Sequence, residues 1–301
     1  MKLLAQSLVS FVFISLLVLF PAQITTAGEV NGKRPLYFSL IPKKDVDNQI
    51  SELQPLLQYL EKGLGRPIQV IRPQSYNTVI EGILSKRIDF AILGPASYAK
   101  TKEKDLGVEA FASFACQQGL LTPQGSFYYS VLFALKDSGY TNASQLNGKK
   151  VALTDPESTS GAIIPNIYFS RDIGIVLSDF FSSIVYTGSH DRSIEAVKSR
   201  LVDAAFVASS RIDEAVQKGV IDKKQVISLW RSAPIHYDPF VFRGGLDIST
   251  KEKIKSLMLS SPPELEPTFT KMKMVGIVEV GDEDYKAIHE LIAIPKAQII
   301  K

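Results

Sequence analysis

The chain has 301 residues, 45% of them hydrophobic, and its 34 lysines and arginines nearly balance its 31 aspartates and glutamates. That balance gives no reason to expect a nucleic-acid partner, while the length is enough for two lobes with good cores. One cysteine, Cys116, excludes a disulfide framework. The three histidines, His190, His236 and His289, have no cysteine or carboxylate in metal-ligand spacing, so no metal and no cofactor is expected.

Lys2, an apolar run from Leu8 to Phe20 and the stretch Thr25-Thr26-Ala27 before Gly28 read as a secretory signal peptide over residues 1–27. No cysteine follows it to accept a lipid, which suits a protein released into a bacterial periplasm. From Leu36 the chain alternates short β-rich runs with amphipathic helices. LYFSLI is followed by a helix carrying Ile50, Leu53, Leu56, Leu57, Leu60 and Leu64 on one face and ended by Gly63 or Gly65. Next come IQVIRP, a helix from about Asn77 to Lys86, and DFAILG.

The alternation restarts at FYYSVLFALK and runs through KKVALT, a helix over about Thr159 to Asp172, SSIVYT, a helix over about Arg192 to Ser199, and AAFVA. VISLW, DPFVFR and two C-terminal helices then return the chain. The pattern is α/β with largely parallel strands, a two-lobed fold in which one lobe is inserted into the other. Residues 28–129 plus 231–301 form lobe 1 and residues 130–230 form lobe 2. Two chain crossings, near Ser126 to Leu135 and Trp230 to Phe240, make a hinge.

In open α/β sheets ligands bind beyond the carboxyl ends of the strands, so the site is expected where strand-end loops of both lobes meet. Lobe 1 offers Gln74-Ser75-Tyr76-Asn77 and Gly94-Pro95-Ala96-Ser97-Tyr98; lobe 2 offers Asp155 to Gly161, Thr187 to Asp191, and Ala208-Ser209-Ser210. The crossings add Tyr128-Tyr129-Ser130 and His236-Tyr237-Asp238. Ser158-Thr159-Ser160-Gly161 opens a helix, where unpaired N–H groups, the positive end of the helix dipole and short hydroxyls suit an oxyanion. Ser158 alone would be accounted for as a cap. His190 is either a donor to the anion or a structural bridge, and Tyr76 and Tyr128 are either ligand donors or lobe-interface packing. Pro165, in the second turn of the helix from Thr159, is expected to shorten or bend it. No nucleophile motif is present, so no catalytic residue is assigned.

The series QSYNTVIEGILSKRIDFAILGPASY, YYSVLFALKDSG, LNGKKVALTDPESTSGAIIP, GSHDRSIEAV, VDAAF and DPFVFR resembles the phosphonate- and phosphite-binding periplasmic proteins of ABC transporters over nearly the whole exported chain. The resemblance implies the two-lobed type II periplasmic binding fold. It also implies that phosphonyl oxygens are held by Ser158, Thr159, Ser160 and His190, with Tyr76 and Tyr128 completing the shell. Strand alternation places Tyr128 rather than Tyr129 on the face of Ser130.

Members that take aminoalkylphosphonates carry a carboxylate where this chain has Ser209-Ser210, whereas the carboxylate of the second crossing is matched by Asp238. What the resemblance leaves as ligand is phosphite, a short alkylphosphonate or phosphate, carried to an inner-membrane ABC permease by a monomer. The competing functions are a sensor lobe feeding a membrane histidine kinase and an exported enzyme acting on phosphate esters.

Overall fold

The computed structural model of the chain describes residues 34–295 and 298–300; the signal-peptide reading of residues 1–27 lies outside them. Two sheets organise these residues. In the first, β1 (Leu36–Leu40), β2 (Ile68–Val70) and β3 (Phe90–Ile92) are parallel, and β4 (Glu109–Cys116) joins them only through a later strand. The second is built on β6 (Ser130–Leu135), β7 (Lys150–Leu153), β8 (Ser183–Tyr186), β9 (Ala204–Ala208) and β10 (Val226–Arg231), in the order β10-β6-β9-β7-β8. Between the sheets, β5 (Phe127–Tyr128) pairs antiparallel with β11 (Ile235–His236), Tyr128 opposite Ile235. The two chain crossings therefore touch and run side by side.

The return strand β12 (Pro239–Phe242) slots between β3 and β4 and is antiparallel to both, and β13 (Met274–Glu279) closes the sheet beyond β4. The sheets are thus mixed: in the first β12 and β13 run against β1–β4, and in the second β6 runs against β7–β10. The chain ends in three helices, α8 (Ile248–Leu259), α9 (Glu266–Met272) and α10 (Lys286–Ile292), where the sequence pattern gave two.

The other helices cover the sheets. In α1 (Val46–Leu64), Leu53, Leu56, Leu57 and Leu60 are buried at helical spacing, Asp45 caps the start, and Gly65 at φ 58° closes the end in the left-handed region. Next are α2 (Tyr76–Leu84) and α3 (Pro95–Lys104) in lobe 1, then α4 (Ser170–Ile173), α5 (Leu177–Phe180), α6 (His190–Lys198) and α7 (Ser209–Gln217) in lobe 2. Among the described residues no helix is long and apolar enough to cross a membrane.

Candidate functional site

The carboxyl ends of β1, β2, β3, β7, β8 and β9 all point to the gap between the sheets. The helices that follow them start there: Tyr76 opens α2, Pro95 opens α3, Thr159 opens the helical stretch that leads into α4, His190 opens α6 and Ser209 opens α7. The positive dipole ends of these helices are turned toward a common point. A small cavity at that point, about 10 Å³ measured as the space open to the centre of a water molecule, is lined by Tyr76, Tyr128, Ser158, Thr159, Ser160, His190 and Asp238. These are the seven residues singled out from the sequence, and none is more than 5% exposed.

The stretch after β7 is held by an unusual arrangement. Pro165 has no N–H to give the Gly161 carbonyl four residues back, and its ring would crowd that carbonyl in a normal α-turn. The turns from Thr159 to Phe169 are therefore widened to π-helical spacing, with Ile163 N–H reaching Ser158 O at 2.9 Å. The freed Gly161 carbonyl accepts from Thr154 N–H at 3.1 Å, and the Ser160 carbonyl accepts from Ser130 Oγ at 2.6 Å. The helix opens at Thr159 as expected, while Pro165 widens it rather than ending it. Gly161 has its own reason: a Cβ there would lie 2.4 Å from Thr154 Cβ and 2.8 Å from Ser158 Oγ. Ser158 caps the turn by accepting from Gly161 N–H at 3.1 Å.

His190 is fixed in one tautomer. Its Nδ1 accepts the Ala208 backbone N–H at 3.2 Å and stands 3.0 Å from Thr154 Oγ1, so the ring proton sits on Nε2, which faces Ser158 Oγ at 3.5 Å and the cavity. Burial pulls the His190 pKa well below its ordinary value, and the nearby Arg211 and Lys43 charges add to this. The ring is a neutral N–H donor. Through Nδ1 it is also a structural bridge between Ala208 and Thr154.

Thr159 Oγ1 accepts Ala96 N–H from the other lobe at 2.8 Å, which leaves its own hydroxyl proton free to donate. Tyr76 Oη is buried without a hydrogen-bond partner, and burial together with the Asp238 charge pushes its pKa up, keeping it a donor. Tyr128 is raised likewise, by burial first, and its hydroxyl lies near Ser160 and Thr159. Tyr129 turns away to lie under Arg231, its ring centroid 4.5 Å from the guanidinium carbon. The cavity wall is therefore rich in donors.

Asp238 is the one carboxylate among the described residues lining the cavity, and its Oδ2 is 2.6 Å from Lys43 Nζ. Lys43 was missed from the sequence, as was Ile41 in the wall, while Gly94 belongs to a loop the sequence offered. It lies in the loop after β1, a strand-end loop like the others but without hydroxyl residues. Tyr237 and Ser210 also line the cavity, whereas the Ser209 hydroxyl is engaged elsewhere, accepting from Tyr129 N–H at 3.1 Å and Thr122 Oγ1 at 2.9 Å.

Around the cavity the lobes are pinned together. His190 N–H donates to Lys43 O at 3.1 Å, Ser97 Oγ donates to Glu157 O at 3.1 Å, and Lys100 pairs with Glu157 at 2.6 Å. Farther out Lys44 bridges Glu52 on α1 and Glu214 on α7, at 2.5 and 2.7 Å, and Glu214 also pairs with Arg211 and Lys218.

Residues 38–285 match the family described as ABC transporter, phosphonate, periplasmic substrate-binding protein. The chain is 26% identical over 303 aligned residues to the phosphonates-binding periplasmic protein of Escherichia coli K12, covering 99% of this chain and 87% of that one. It is 24% identical over 291 to the phosphate-import protein PhnD of Mycolicibacterium smegmatis, covering 90% and 85%. The structure of PhnD1 from Prochlorococcus marinus in complex with methylphosphonate superposes with a TM-score of 0.74 at 18% identity, covering 86% of this chain and 97% of that chain.

Proposed function

The chain belongs to the phosphonate family of periplasmic substrate-binding proteins of ABC transporters, and we propose that it closes on a small phosphorus oxyanion, namely phosphite, a short alkylphosphonate or phosphate, and presents the closed form to an inner-membrane permease. The family is one of binding components rather than enzymes, so the exported-esterase alternative falls away. The relatives named above carry phosphonate and phosphate in their names, which fits a tetrahedral oxyanion and leaves its fourth substituent to be decided by this chain's own cavity.

The observation that carries the reading is the Tyr76 hydroxyl, buried in the cavity without a partner. A buried phenol left unpaired costs free energy, and here it sits among Ser158, Thr159, Ser160 and His190 Nε2–H, groups with protons to give. An oxyanion satisfies all of them at once. The assigned roles follow: Ser158, Thr159, Ser160 and His190 from lobe 2 and Tyr76 from lobe 1 donate to the anion, Tyr128 does so from the crossing, and Asp238 sets the charge beside it. Residues 28–129 plus 231–301 and residues 130–230 are the moving bodies, hinged where β5 pairs with β11. A signal peptide over residues 1–27 delivers the protein to the periplasm.

Isothermal calorimetry of the protein from Gly28 onward against phosphite, methylphosphonate, ethylphosphonate and phosphate tests this. A ligand present at 100 times its Kd should raise stability by about 2.7 kcal/mol. Absence of both heat and thermal shift with all four would overturn the reading. Thr159→Asp, which puts a carboxylate where the anion's charge must lie, should abolish binding in a folded protein; unchanged affinity would remove the helix start from the site.

A further inference from the structure

Among the described residues the cavity wall contains a single ammonium, Lys43, and a single carboxylate, Asp238, and they are bound to each other at 2.6 Å. A buried carboxylate beside a ligand cavity is a cation site, and here the cation comes from the chain itself. Lys43 is held on several sides. Its N–H donates to Ile41 O at 2.9 Å, its carbonyl accepts His190 N–H from the other lobe at 3.1 Å, and its ammonium lies 5.0 Å from the Tyr237 ring centroid. Asp238 is anchored through its own carbonyl, which accepts from Ser113 Oγ at 3.1 Å.

The consequences concern charge. Lys43 and Asp238 cancel, and Asp238 is the one carboxylate in the wall among the described residues, so the wall carries no uncompensated negative charge that a ligand ammonium could meet. Such an ammonium would instead meet Lys43. An anion gains from the same pair: the ammonium faces it, while the carboxylate that would repel it is neutralised. Taking it as given that the cavity holds a phosphorus oxyanion, as argued above, we propose that Lys43 is a specificity-determining residue, a built-in counter-cation to Asp238 that restricts the ligand to oxyanions without a positively charged substituent.

Calorimetry with three probes tests this: methylphosphonate, aminomethylphosphonate, and ethylphosphonate, which matches aminomethylphosphonate in size but lacks its charge. The wild-type protein should bind methylphosphonate and disfavour aminomethylphosphonate against ethylphosphonate by about tenfold or more, because like charges would be brought together. Lys43→Met leaves Asp238 bare, so methylphosphonate binding should weaken by about tenfold or more and aminomethylphosphonate binding should appear. Adding Asp238→Asn should restore methylphosphonate binding and erase the discrimination. The double variant also serves if Lys43→Met alone does not fold, since it removes both charges.

Equal wild-type affinity for the amino and ethyl ligands would overturn the role of Lys43 while leaving the oxyanion reading intact. So would a Lys43→Met protein that binds methylphosphonate as the wild type does. Failure of the wild-type protein to bind methylphosphonate, ethylphosphonate, phosphite or phosphate would take down the oxyanion reading and this one with it.

Discussion

The two ring nitrogens of His190 face different surroundings, and two substitutions separate the structural role of one from the proposed anion-donor role of the other. Nδ1 accepts Ala208 N–H at 3.2 Å, while Nε2–H faces the cavity. Asparagine can keep an acceptor near the position of Nδ1 but does not reach the cavity. His190→Asn should therefore fold with nearly wild-type stability and lose one hydrogen bond to an anion, about 1.5–3 kcal/mol, which is a weakening of Kd by about 10- to 150-fold. Glutamine reaches the position of Nε2 but leaves Ala208 N–H buried and unpaired, so His190→Gln should cost about 1–3 kcal/mol of stability while keeping more of the affinity.

Acid supplies a second reading of the same residue. The folded ring stays neutral because burial depresses its pKa, whereas the unfolded ring takes a proton below about pH 6.5. The unfolded state then binds more protons, so this contribution to stability is complete above pH 6.5 and falls by about 1.4 kcal/mol for each pH unit of acidification below it. Urea denaturation between pH 5 and 7, with the Asn variant subtracted, isolates that slope. An Asn variant that binds methylphosphonate as tightly as the wild type, or a wild-type slope no steeper than the variant's, would refute the assignment.

Tyr76→Phe removes an unpaired buried hydroxyl, so it should leave the ligand-free protein as stable as before or slightly more so while weakening oxyanion binding by about 1.5–3 kcal/mol, measured by thermal shift and calorimetry side by side. Gly161→Ala forces a Cβ to within 2.4 Å of Thr154 Cβ; the expected cost is about 1–3 kcal/mol of stability, with a larger loss of affinity because Thr154 and Ser158 both border His190. Burial alone would raise the Glu214 pKa, but the Arg211 and Lys44 charges outweigh it and hold it far below the ordinary 4.5. Its stabilisation is therefore complete above pH 4.5 and lost as pH falls into strong acid. Glu214→Gln should open the lobes more easily, read by small-angle scattering, and lose less than the ~3 kcal/mol of a fully buried pair because Lys44 keeps Glu52 and Arg211 keeps Asp191.

The parts of the fold visible in the sequence are those whose signal is local. Leu53, Leu56, Leu57 and Leu60 mark α1 by spacing, and KKVALT, SSIVYT and AAFVA mark β7, β8 and β9 by β-branched and apolar runs between helices. Of the return strands, DPFVFR marks β12 as an extended run but not its place in the sheet. β12 is buried at every position, yet nothing in PFVF says that it lies between β3 and β4, because that choice is made by packing against residues more than a hundred positions earlier. β13 shows mostly exposed and half-buried positions because it is an edge strand, and its apolar residues blend into the helices around it. The bending expected of Pro165 came out as widening because the Gly161 carbonyl found a donor in Thr154 N–H, a partner set by the strand before it.

The same distinction between local and distant signals explains how the site was legible and where it was not. Tyr76, Thr159 and His190 each open a helix directly after a strand, so the strand-end rule and the hydroxyl, phenol or imidazole type together single them out. Lys43 obeys the strand-end rule equally well, following β1. A lysine in a loop is ordinarily a solvated charge, and the meaning of this one comes from Asp238, 195 positions away in the chain. Nor does the lysine's local sequence, IPKK, separate it from Lys44, whose ammonium turns the other way to Glu52 and Glu214. Of two adjacent lysines, one pins the lobes and the other lines the cavity. In a cavity lined by donors a buried carboxylate calls for a cation against it, and Lys43, in the strand-end loop after β1, is that cation.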